Sequence, residues 1–420
     1  AVSLLNIEVA ATFYCDVDDD ACRVAATNFP TMSQLGDVQY VTDDVLREIT
    51  SKYSNCNFLV TGGPPCINVS LLNSNRTGAN GRGSVLRDHF SRIAKSINKL
   101  VGDQRFYCLM ECTRMTRDDR LHYDKVFGAP PFELCSRHFC PITRPRWWWV
   151  NRRPAWPQQT ELVPSSLDAE VMEVLPAVSR KPLSEVLEVG WRPWAVRSES
   201  HEPNFSFHCL TRHRPSANKP KEAKGLDTAN SDTVSRWIAD DFAQSPYQYA
   251  DKNLVVSTQP PFLKRRLIAA EEERLHGFPC NYTIPLIDEY AKDPVSLERR
   301  RKSLLGNSWH VDVAKFLIGA LMDIRDRPAK IPSCQPTVRG AFLRNAVDDD
   351  TWSAFVDAVR LDDDVFCEAL ASCPYINDRM QRGLNCDTPL GPDEAELFAH
   401  QYASIAGGNQ LKCHGFAVTR

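Results

Sequence analysis

This sequence of 420 residues lacks a long apolar run, a Cys-x-x-Cys pair, a strong net charge and an initial methionine. Its longest apolar run, Phe316–Met322, is too short to cross a bilayer, which excludes a membrane-spanning helix. The grouping of Cys135, His138 and Cys140 has no second pair at zinc-site spacing, so we predict no metal. An odd count of 15 cysteines in so large a chain favours free thiols over a disulfide scaffold. Because the chain starts at Ala1, the lack of a targeting peptide carries no information.

The formal net charge of −3 conceals an uneven distribution. Residues 331–420 hold 7 Lys/Arg and 13 Asp/Glu, whereas residues 1–330 hold 43 and 40. The front of the chain is therefore mildly basic and its tail acidic. Neither value by itself indicates a nucleic-acid partner, since such an electrostatic footprint is usually stronger or more concentrated.

The first 150 residues alternate between strand-like and helix-like segments. An amphipathic stripe predicts a helix over 82–101. The predicted strands are Ile7–Cys15, Val38–Val41, Cys56–Thr61 and Arg105–Met110. This alternation predicts a mostly parallel sheet that binds ligands beyond the carboxyl ends of its strands.

The rest of the chain divides by composition. Between 151 and 260 proline and charge rise and periodicity weakens, as in an inserted recognition region. Regular structure returns over 261–330, with predicted helices at Ala269–His276 and Val311–Ile324. Residues 331–420 form an acidic annex with short helices. We therefore predict four regions: 1–150, 151–260, 261–330 and 331–420.

The strongest local motif is Thr61-Gly-Gly-Pro-Pro-Cys66. A predicted strand ends in two glycines, and two prolines then stiffen the turn that presents one thiol. Such a turn at the carboxyl edge of a sheet can hold a nucleophile where substrates bind. The alternative is a rigid turn with an inert cysteine, which is the usual condition of an isolated free cysteine.

GGPPCINVSLLN resembles the catalytic motif of the DNA (cytosine-5) methyltransferases, and its following loop is closest to the animal de novo type. Glu111 in LMECTRM resembles the family's catalytic glutamate, and Arg144 and Arg146 in ITRPRWWWVN resemble its paired arginines. Thr211-Arg212 is similar to its threonine-arginine motif, and LGNSW at 305–309 to its closing cofactor motif. The resemblance covers about residues 1–325, with poor registration from 151 to 260.

The resemblance implies a Rossmann-like class I methyltransferase sheet, an inserted target-recognition region and a small, mostly helical annex. It also implies transfer of a methyl group from S-adenosyl-L-methionine to carbon-5 of a flipped cytosine. Cys66 is the expected nucleophile and Glu111 the expected acid at ring nitrogen 3. Arg144 and Arg146 are expected to bind the base carbonyl and to lower the pKa of the thiol; the alternative for both is a surface or phosphate-binding role.

Double-stranded DNA is the partner that the resemblance implies, with a nuclear location and with a homo- or hetero-oligomer of methyltransferase chains left open. A polar, glycine-rich loop over 67–83 is suited to entering a groove when the base is flipped. Leu72 is the candidate to fill the vacated space. Further candidate DNA contacts are Arg76, Arg82, Thr211 and Arg212.

The cofactor site can be assigned in part. Asp16 follows the strand whose carboxylate usually bonds ribose hydroxyls, with Val17 beside the adenine. Asp37-Val38 resembles the family's adenine-contacting pair, although Asp16 and Asp37 could equally be helix caps or turn formers. The remaining candidates for this site are Pro64, Asn307, Ser308 and Trp309.

Two departures from the family pattern stand out. The glycine-rich first motif on the central strand is absent, which predicts a sheet without its middle strand and a cofactor site without its methionine half. Cys112 and Thr113 stand where the family usually has Asn and Val, which puts the orientation of the catalytic loop in question. Three interpretations follow: a DNA methyltransferase, a catalytically impaired regulatory relative that binds DNA or a partner methyltransferase, and a transfer-RNA cytosine-5 methyltransferase.

Overall fold

The computed structural model describes residues 1–5, 7–71, 73–81, 86–196, 202–210, 228–240, 242–246, 253–286 and 293–324. Within them the chain forms two compact units. The first comprises residues 1–139, 143–180 and 309–324, and the second comprises 140–142 and 181–308. The acidic annex lies outside the described residues. No helix in the described part of the chain is long and apolar enough to cross a membrane.

Strands and α-helices alternate through residues 13–135, as the sequence predicted, whereas the strands between 132 and 175 follow one another with no α-helix between them. The elements of both units are as follows. The strands are β1 (Phe13–Tyr14), β2 (Ser33–Gln34), β3 (Phe58–Gly62), β4 (Phe106–Thr113), β5 (Phe132–Cys135), β6 (Ile142–Thr143), β7 (Pro145–Val150), β8 (Glu161–Pro164), β9 (Met172–Leu175), β10 (Trp191–Pro193), β11 (Phe207–His208), β12 (Leu254–Ser257) and β13 (Lys264–Arg266). The helices are α1 (Asp19–Asn28), α2 (Asp43–Lys52), α3 (Leu86–Val101), α4 (Arg117–Phe127), α5 (Ser231–Ala239), α6 (Ala269–Leu275), α7 (Pro294–Asn307) and α8 (Val311–Leu321).

The first unit contains a mixed six-stranded sheet in the order β3-β4-β7-β5-β9-β8. Only β3/β4 and β5/β9 are parallel; β4/β7, β5/β7 and β8/β9 are antiparallel. The α/β class is confirmed, but the prediction of a mostly parallel sheet is wrong. The connection from Cys135 to Pro145 is too short for a parallel crossover, which needs about a dozen residues, so β7 returns antiparallel.

A separate two-stranded parallel sheet is formed by β1 and β2. The predicted strand at Val38–Val41 is wrong, since Val38–Tyr40 forms a 3-10 turn capped by Asp37. The true strand, Ser33–Gln34, is polar and exposed, so no hydrophobic pattern marked it. Among the described residues β3 pairs only with β4, and β1 only with β2. The prediction of a sheet without its middle strand stays a prediction.

Three consecutive tryptophans on β7 form the centre of the first unit. Because side chains alternate along a strand, Trp147 and Trp149 pack on one face with Met110 and Cys112. Trp148 packs on the opposite face with a cluster that includes residues of α8. Each tryptophan is at most 1% exposed, so β7 is covered on both faces.

The fully buried carboxylate of Glu133 links β5 to β7 and to the segment between β8 and β9. Glu133 on β5 accepts hydrogen bonds of 3.0 Å from Arg114 Nε, Trp147 Nε1 and Ser165 Oγ. Burial of an ionised group is costly unless it is paired and hydrogen-bonded, and these donors satisfy it. Ser165 lies between β8 and β9, so the network ties that hairpin to the sheet.

The second unit combines the antiparallel sheet β10-β12-β13 with helices α5, α6 and α7. Helix α6 matches the predicted helix at Ala269–His276, and all seven of its residues are buried. Three of its charged side chains form ion pairs with oppositely charged residues of neighbouring segments. These ion pairs are Glu271–Arg265 at 2.7 Å, Arg274–Glu188 at 2.8 Å and Glu273–Arg301 at 3.0 Å.

Candidate active site

The turn after β3 presents the Cys66 thiol beside the end of β4. Gly62 is in parallel register with Met110, so the Gly63-Pro-Pro-Cys66 turn leaves the sheet next to Glu111. The carbonyl of Cys66 accepts hydrogen bonds from the amides of Val69 and Ser70, so the next turn begins directly at Cys66. Cys66 is an exposed residue, although protein atoms surround part of its thiol.

Both glycines of this turn are required by close packing. A Cβ on Gly62 would lie 2.5 Å from the ring of Phe90 on α3, and one on Gly63 would lie 2.9 Å from Trp309 Nε1. The same Cβ on Gly63 would lie 3.4 Å from Glu111 Oε2. Any side chain at position 63 would therefore displace Trp309 from the turn. Because Gly62 and Gly63 have no side chains, this turn can pack against Phe90, Trp309 and Glu111.

Glu111 and Arg146 form an ion pair within the sheet. Glu111 Oε1 lies 2.9 Å from Arg146 Nε, and both side chains are at most 15% exposed. In the antiparallel register Glu111 is opposite Trp148 and Arg146 opposite Thr113, so the pair is a diagonal one on one face. The sequence placed Glu111 at the end of its strand, but β4 continues to Thr113 because β7 pairs with it that far.

A small cavity of about 10 Å³ lies beside this ion pair. Two of the residues that line it, His310 and Ser136, were not predicted from the sequence as site residues. Its lining residues are Glu111, Leu134, Ser136, Arg144, Arg146, Trp148, Trp309, His310 and Val313. His310 is 2% exposed and directly follows the predicted cofactor residue Trp309, which was the signal available in the sequence. The ring of Trp309 packs edge-on against Trp148, with centroids 5.1 Å apart.

The pKa of the Cys66 thiol is raised above its ordinary value. Neighbouring protein atoms displace water from the thiolate, which is the main cause, and the negative charge of Glu111 adds to it. Arg146 and Arg144 act in the opposite direction, as the sequence predicted, but they are outweighed. The two arginines thus favour the thiolate, but the net shift of the pKa is upward because the loss of water and the Glu111 carboxylate outweigh them.

Cys112, which stands in place of the family's Asn, faces away from the Glu111 side of β4. It is fully buried in the same core cluster as Tyr123 of α4. Burial raises its pKa well above the ordinary value. Cys112 is thus a core residue.

The predicted cofactor carboxylates follow the two adjacent strands β1 and β2. Asp16 Oδ1 accepts a hydrogen bond of 2.9 Å from the Asp18 amide, and Asp37 Oδ1 accepts one of 2.9 Å from Gln39. Both aspartates therefore form local turns, which was the alternative to a role in cofactor binding. Val17 is 72% exposed, whereas Val38 is half-buried in the 3-10 turn.

The remaining predicted residues fall into three groups. Pro64 lies in the Cys66 turn, half-buried, and Arg76 is exposed in the following loop. Asn307 and Ser308 end helix α7 in the second unit, where Ser308 Oγ donates to the Leu305 carbonyl at 2.8 Å. The candidates outside the described residues are Leu72, Arg82, Thr211 and Arg212. In the described part of the chain no group of His, Cys, Asp or Glu side chains could hold a metal ion.

No protein-family model matches the sequence, and no curated protein matches it. Among solved structures, the chain is similar to the S. pombe Dnmt2 methyltransferase, with 18% identity and a TM-score of 0.42 over 77% of this chain and 93% of that one. It is also similar to the Entamoeba histolytica methyltransferase EhMeth, with 14% identity and a TM-score of 0.43 over 76% and 92% of the two chains.

Proposed function

We propose that this chain is a cytosine-5 methyltransferase that acts on duplex DNA. One observation carries the proposal: the Cys66 turn lies against the ion pair of Glu111 and Arg146, with Arg144 lining the same cavity. A thiol, a carboxyl group and two guanidinium groups are the set that addition to a cytosine ring requires. Glu111, Arg144 and Arg146 line one cavity with Trp309, and Trp309 also lies against Gly63 of the Cys66 turn, which supports a shared site.

The chemistry follows from the weak nucleophilicity of cytosine carbon-5. The Cys66 thiolate adds to carbon-6, and the ring electrons move toward carbon-5 while Glu111 donates a proton to nitrogen-3. The arginines stabilise the ring carbonyl as charge develops. S-adenosyl-L-methionine, when bound, supplies the methyl group that carbon-5 takes up. Loss of the carbon-5 proton to solvent then restores the double bond, expels the Cys66 thiolate and returns the nitrogen-3 proton to Glu111.

The residues of the first unit fit the adenosine part of that cofactor. Asp16 and Asp37 follow adjacent parallel strands, where carboxylates can accept hydrogen bonds from ribose hydroxyls and the adenine amino group. Val17 and Tyr40, 72% and 80% exposed, provide apolar surface next to them for a purine ring. Trp309 packs against the Cys66 turn, between that turn and Trp148.

The test measures methyl transfer and the covalent adduct separately. The full chain is incubated with tritiated S-adenosyl-L-methionine and either duplex DNA or transfer RNA, with Cys66→Ser as the matched control. We expect label in DNA that the substitution abolishes, and a covalent complex of Cys66 with duplex containing 5-fluorocytosine.

The outcomes separate the competing interpretations. If only transfer RNA becomes labelled, then transfer RNA and not DNA is the substrate. Absence of both label and adduct would leave only the non-catalytic regulatory relative. Label that persists in Cys66→Ser would refute the covalent role of this residue.

A further inference from the structure

The loop that follows Cys66, residues 67–81 (here the catalytic loop), is described at 67–71 and 73–81 and is held at both ends. Val69 and Ala79 are 0% and 4% exposed and belong to the core of the first unit. Between them, Leu71 and Arg76 are exposed. The Gly78 amide donates to the Asn68 carbonyl at 2.8 Å, which closes the segment into a compact loop with neighbouring ends.

One side chain outside the loop fixes its far end. Asp119 on α4 accepts a hydrogen bond of 2.7 Å from the Ala79 amide, across 40 residues of sequence. Its other oxygen accepts a bond of 2.8 Å from Thr116 Oγ1, and Thr116 caps the same helix by accepting from the Asp119 amide. Both oxygens of the carboxylate are thus used, and its orientation is set by the start of α4.

Gly78 makes this contact sterically possible. Its φ of +79° is in the left-handed region that favours glycine, and a Cβ there would lie 3.0 Å from Asp119 Oδ1. The loop backbone therefore approaches the carboxylate more closely than a side chain at position 78 would readily allow. A bond between a charged acceptor and a backbone amide in this half-buried setting is stronger than one between neutral groups.

We propose that Asp119 is a positioning residue that fixes the carboxyl-terminal end of the catalytic loop against α4. The start of α4 is only a few residues beyond Glu111 on β4, so the same stretch of chain carries the acid and the anchor of the loop. The nucleophile lies at the opposite end of that loop. Asp119 thereby couples the orientation of the Cys66 loop to the strand that carries Glu111. The part concerning catalysis rests on the proposed function.

The experiment compares Asp119→Ala with Asp119→Asn and with Asp118→Ala. Asp118 is exposed in the same helical turn, so its substitution removes the same charge without a bond to the loop. Amide hydrogen exchange of peptides over 67–81 reports the anchor directly. We expect Asp119→Ala to raise exchange there about tenfold, since an uncompensated bond to a charged group is lost, with β4 unchanged. Asn keeps an acceptor and should restore most of the protection.

The catalytic readout is the rate of adduct formation with 5-fluorocytosine duplex, compared with duplex affinity. A positioning role predicts a fall in the adduct rate of about tenfold in Asp119→Ala, with smaller changes in affinity and rescue by Asn. Wild-type exchange in Asp119→Ala, or an equal rise in Asp118→Ala, would overturn the anchor. Wild-type adduct rates with raised exchange would overturn the positioning role.

Two further outcomes separate the anchor from failure of the proposed function and from loss of the fold. If the wild-type chain forms no adduct with any nucleic acid, the proposed function fails, whereas exchange still decides the anchor. If Asp119→Ala raises exchange in every peptide, the variant has lost its fold. Asp119→Glu, which keeps the charge at the helix start but shifts the carboxylate by one methylene, then decides: exchange raised in the loop alone supports the anchor, and unchanged exchange refutes it.

Discussion

The Cys66 thiol is surrounded by charges that act on it in opposite directions. Displacement of water and the Glu111 carboxylate raise its pKa, while Arg146 and Arg144 lower it. The proposed reaction requires a proton on Glu111, and that proton would remove the anion that opposes the thiolate. Protonation of the acid therefore also favours formation of the nucleophile. Opposed charges of this kind are common where catalytic groups must change protonation state.

This coupling predicts the response of the thiol to removal of the Glu111 charge. In Glu111→Gln the pH profile of Cys66 alkylation should move to lower pH, because the pKa of the thiol falls when the anion is lost. Arg146→Gln should move it to higher pH. Iodoacetamide labelling followed by mass spectrometry measures both, with exposed Cys15 as the internal reference. An unchanged or oppositely shifted profile in Glu111→Gln would contradict the arrangement.

Some residues of the candidate site could be predicted from the sequence, and others could not. Cys66, Glu111, Arg144 and Arg146 stand in local motifs that could be recognised before any fold was known. Asp119 has no such motif, since its partner Ala79 is 40 residues away and only folding brings them together. Local patterns report the reacting groups, and tertiary contacts decide what holds them in place.

At the scale of elements, α6 is unusual because it buries charged side chains on every face. Glu271, Glu273 and Arg274 have ion-pair partners at 3.0 Å or less. Burial raises the pKa of Glu272 to about 8, and Glu298 and Glu271 add to this while Lys302 and Arg301 oppose it. At neutral pH the folded chain therefore holds Glu272 mainly as the neutral acid.

This shift predicts a stability that falls as pH rises. The folded state retains the Glu272 proton up to about pH 8, whereas the ordinary carboxyl value is 4.5. Between these values the unfolded chain releases the proton first, so the free energy of unfolding decreases with pH. Glu272→Gln should remove this dependence and stabilise the chain at pH 8 by on the order of 2 kcal/mol. Urea denaturation at pH 5 and pH 8 measures it.

An exposed carboxyl provides the control for that measurement. Glu48 on α2 is exposed, and Glu48→Gln should leave the pH dependence of unfolding unchanged. If Glu272→Gln behaves as Glu48→Gln does, then Glu272 is ionised in the folded chain and the argument from burial fails.

Elements with strong periodicity could be predicted, and weakly patterned ones could not. The apolar stripe over 82–101 and the run at Ala269–His276 correspond to α3 and α6. The strand Ser33–Gln34 has two exposed polar residues, so only its pairing with β1 defines it. The antiparallel return of β7 depends on the length of a connection rather than on any residue pattern.

At the scale of the whole molecule, charge is distributed locally rather than as a net excess. The net charge is −3, so attraction to a polyanion must come from particular surfaces. Strand β13 consists of three basic residues, Lys264-Arg265-Arg266. Arg265 is held within the second unit, since it pairs with Glu271 at 2.7 Å and lies 4.0 Å from the Trp191 ring. Lys264 is exposed, with Nζ 3.5 Å from the Trp194 ring centroid. Only part of a basic cluster in the sequence thus faces solvent.

This difference predicts how two adjacent cations affect DNA binding. Lys264→Ala should reduce the slope of log affinity against log salt by about 1, as expected when one phosphate contact is lost. Fluorescence anisotropy with labelled duplex over a series of salt concentrations measures the slope.

Arg265→Ala should instead lower the melting temperature, because it leaves Glu271 buried without its main partner. Lys95→Ala on α3 changes the net charge equally and is the control. Equal slopes in Lys264→Ala and Lys95→Ala would mean that Lys264 makes no phosphate contact.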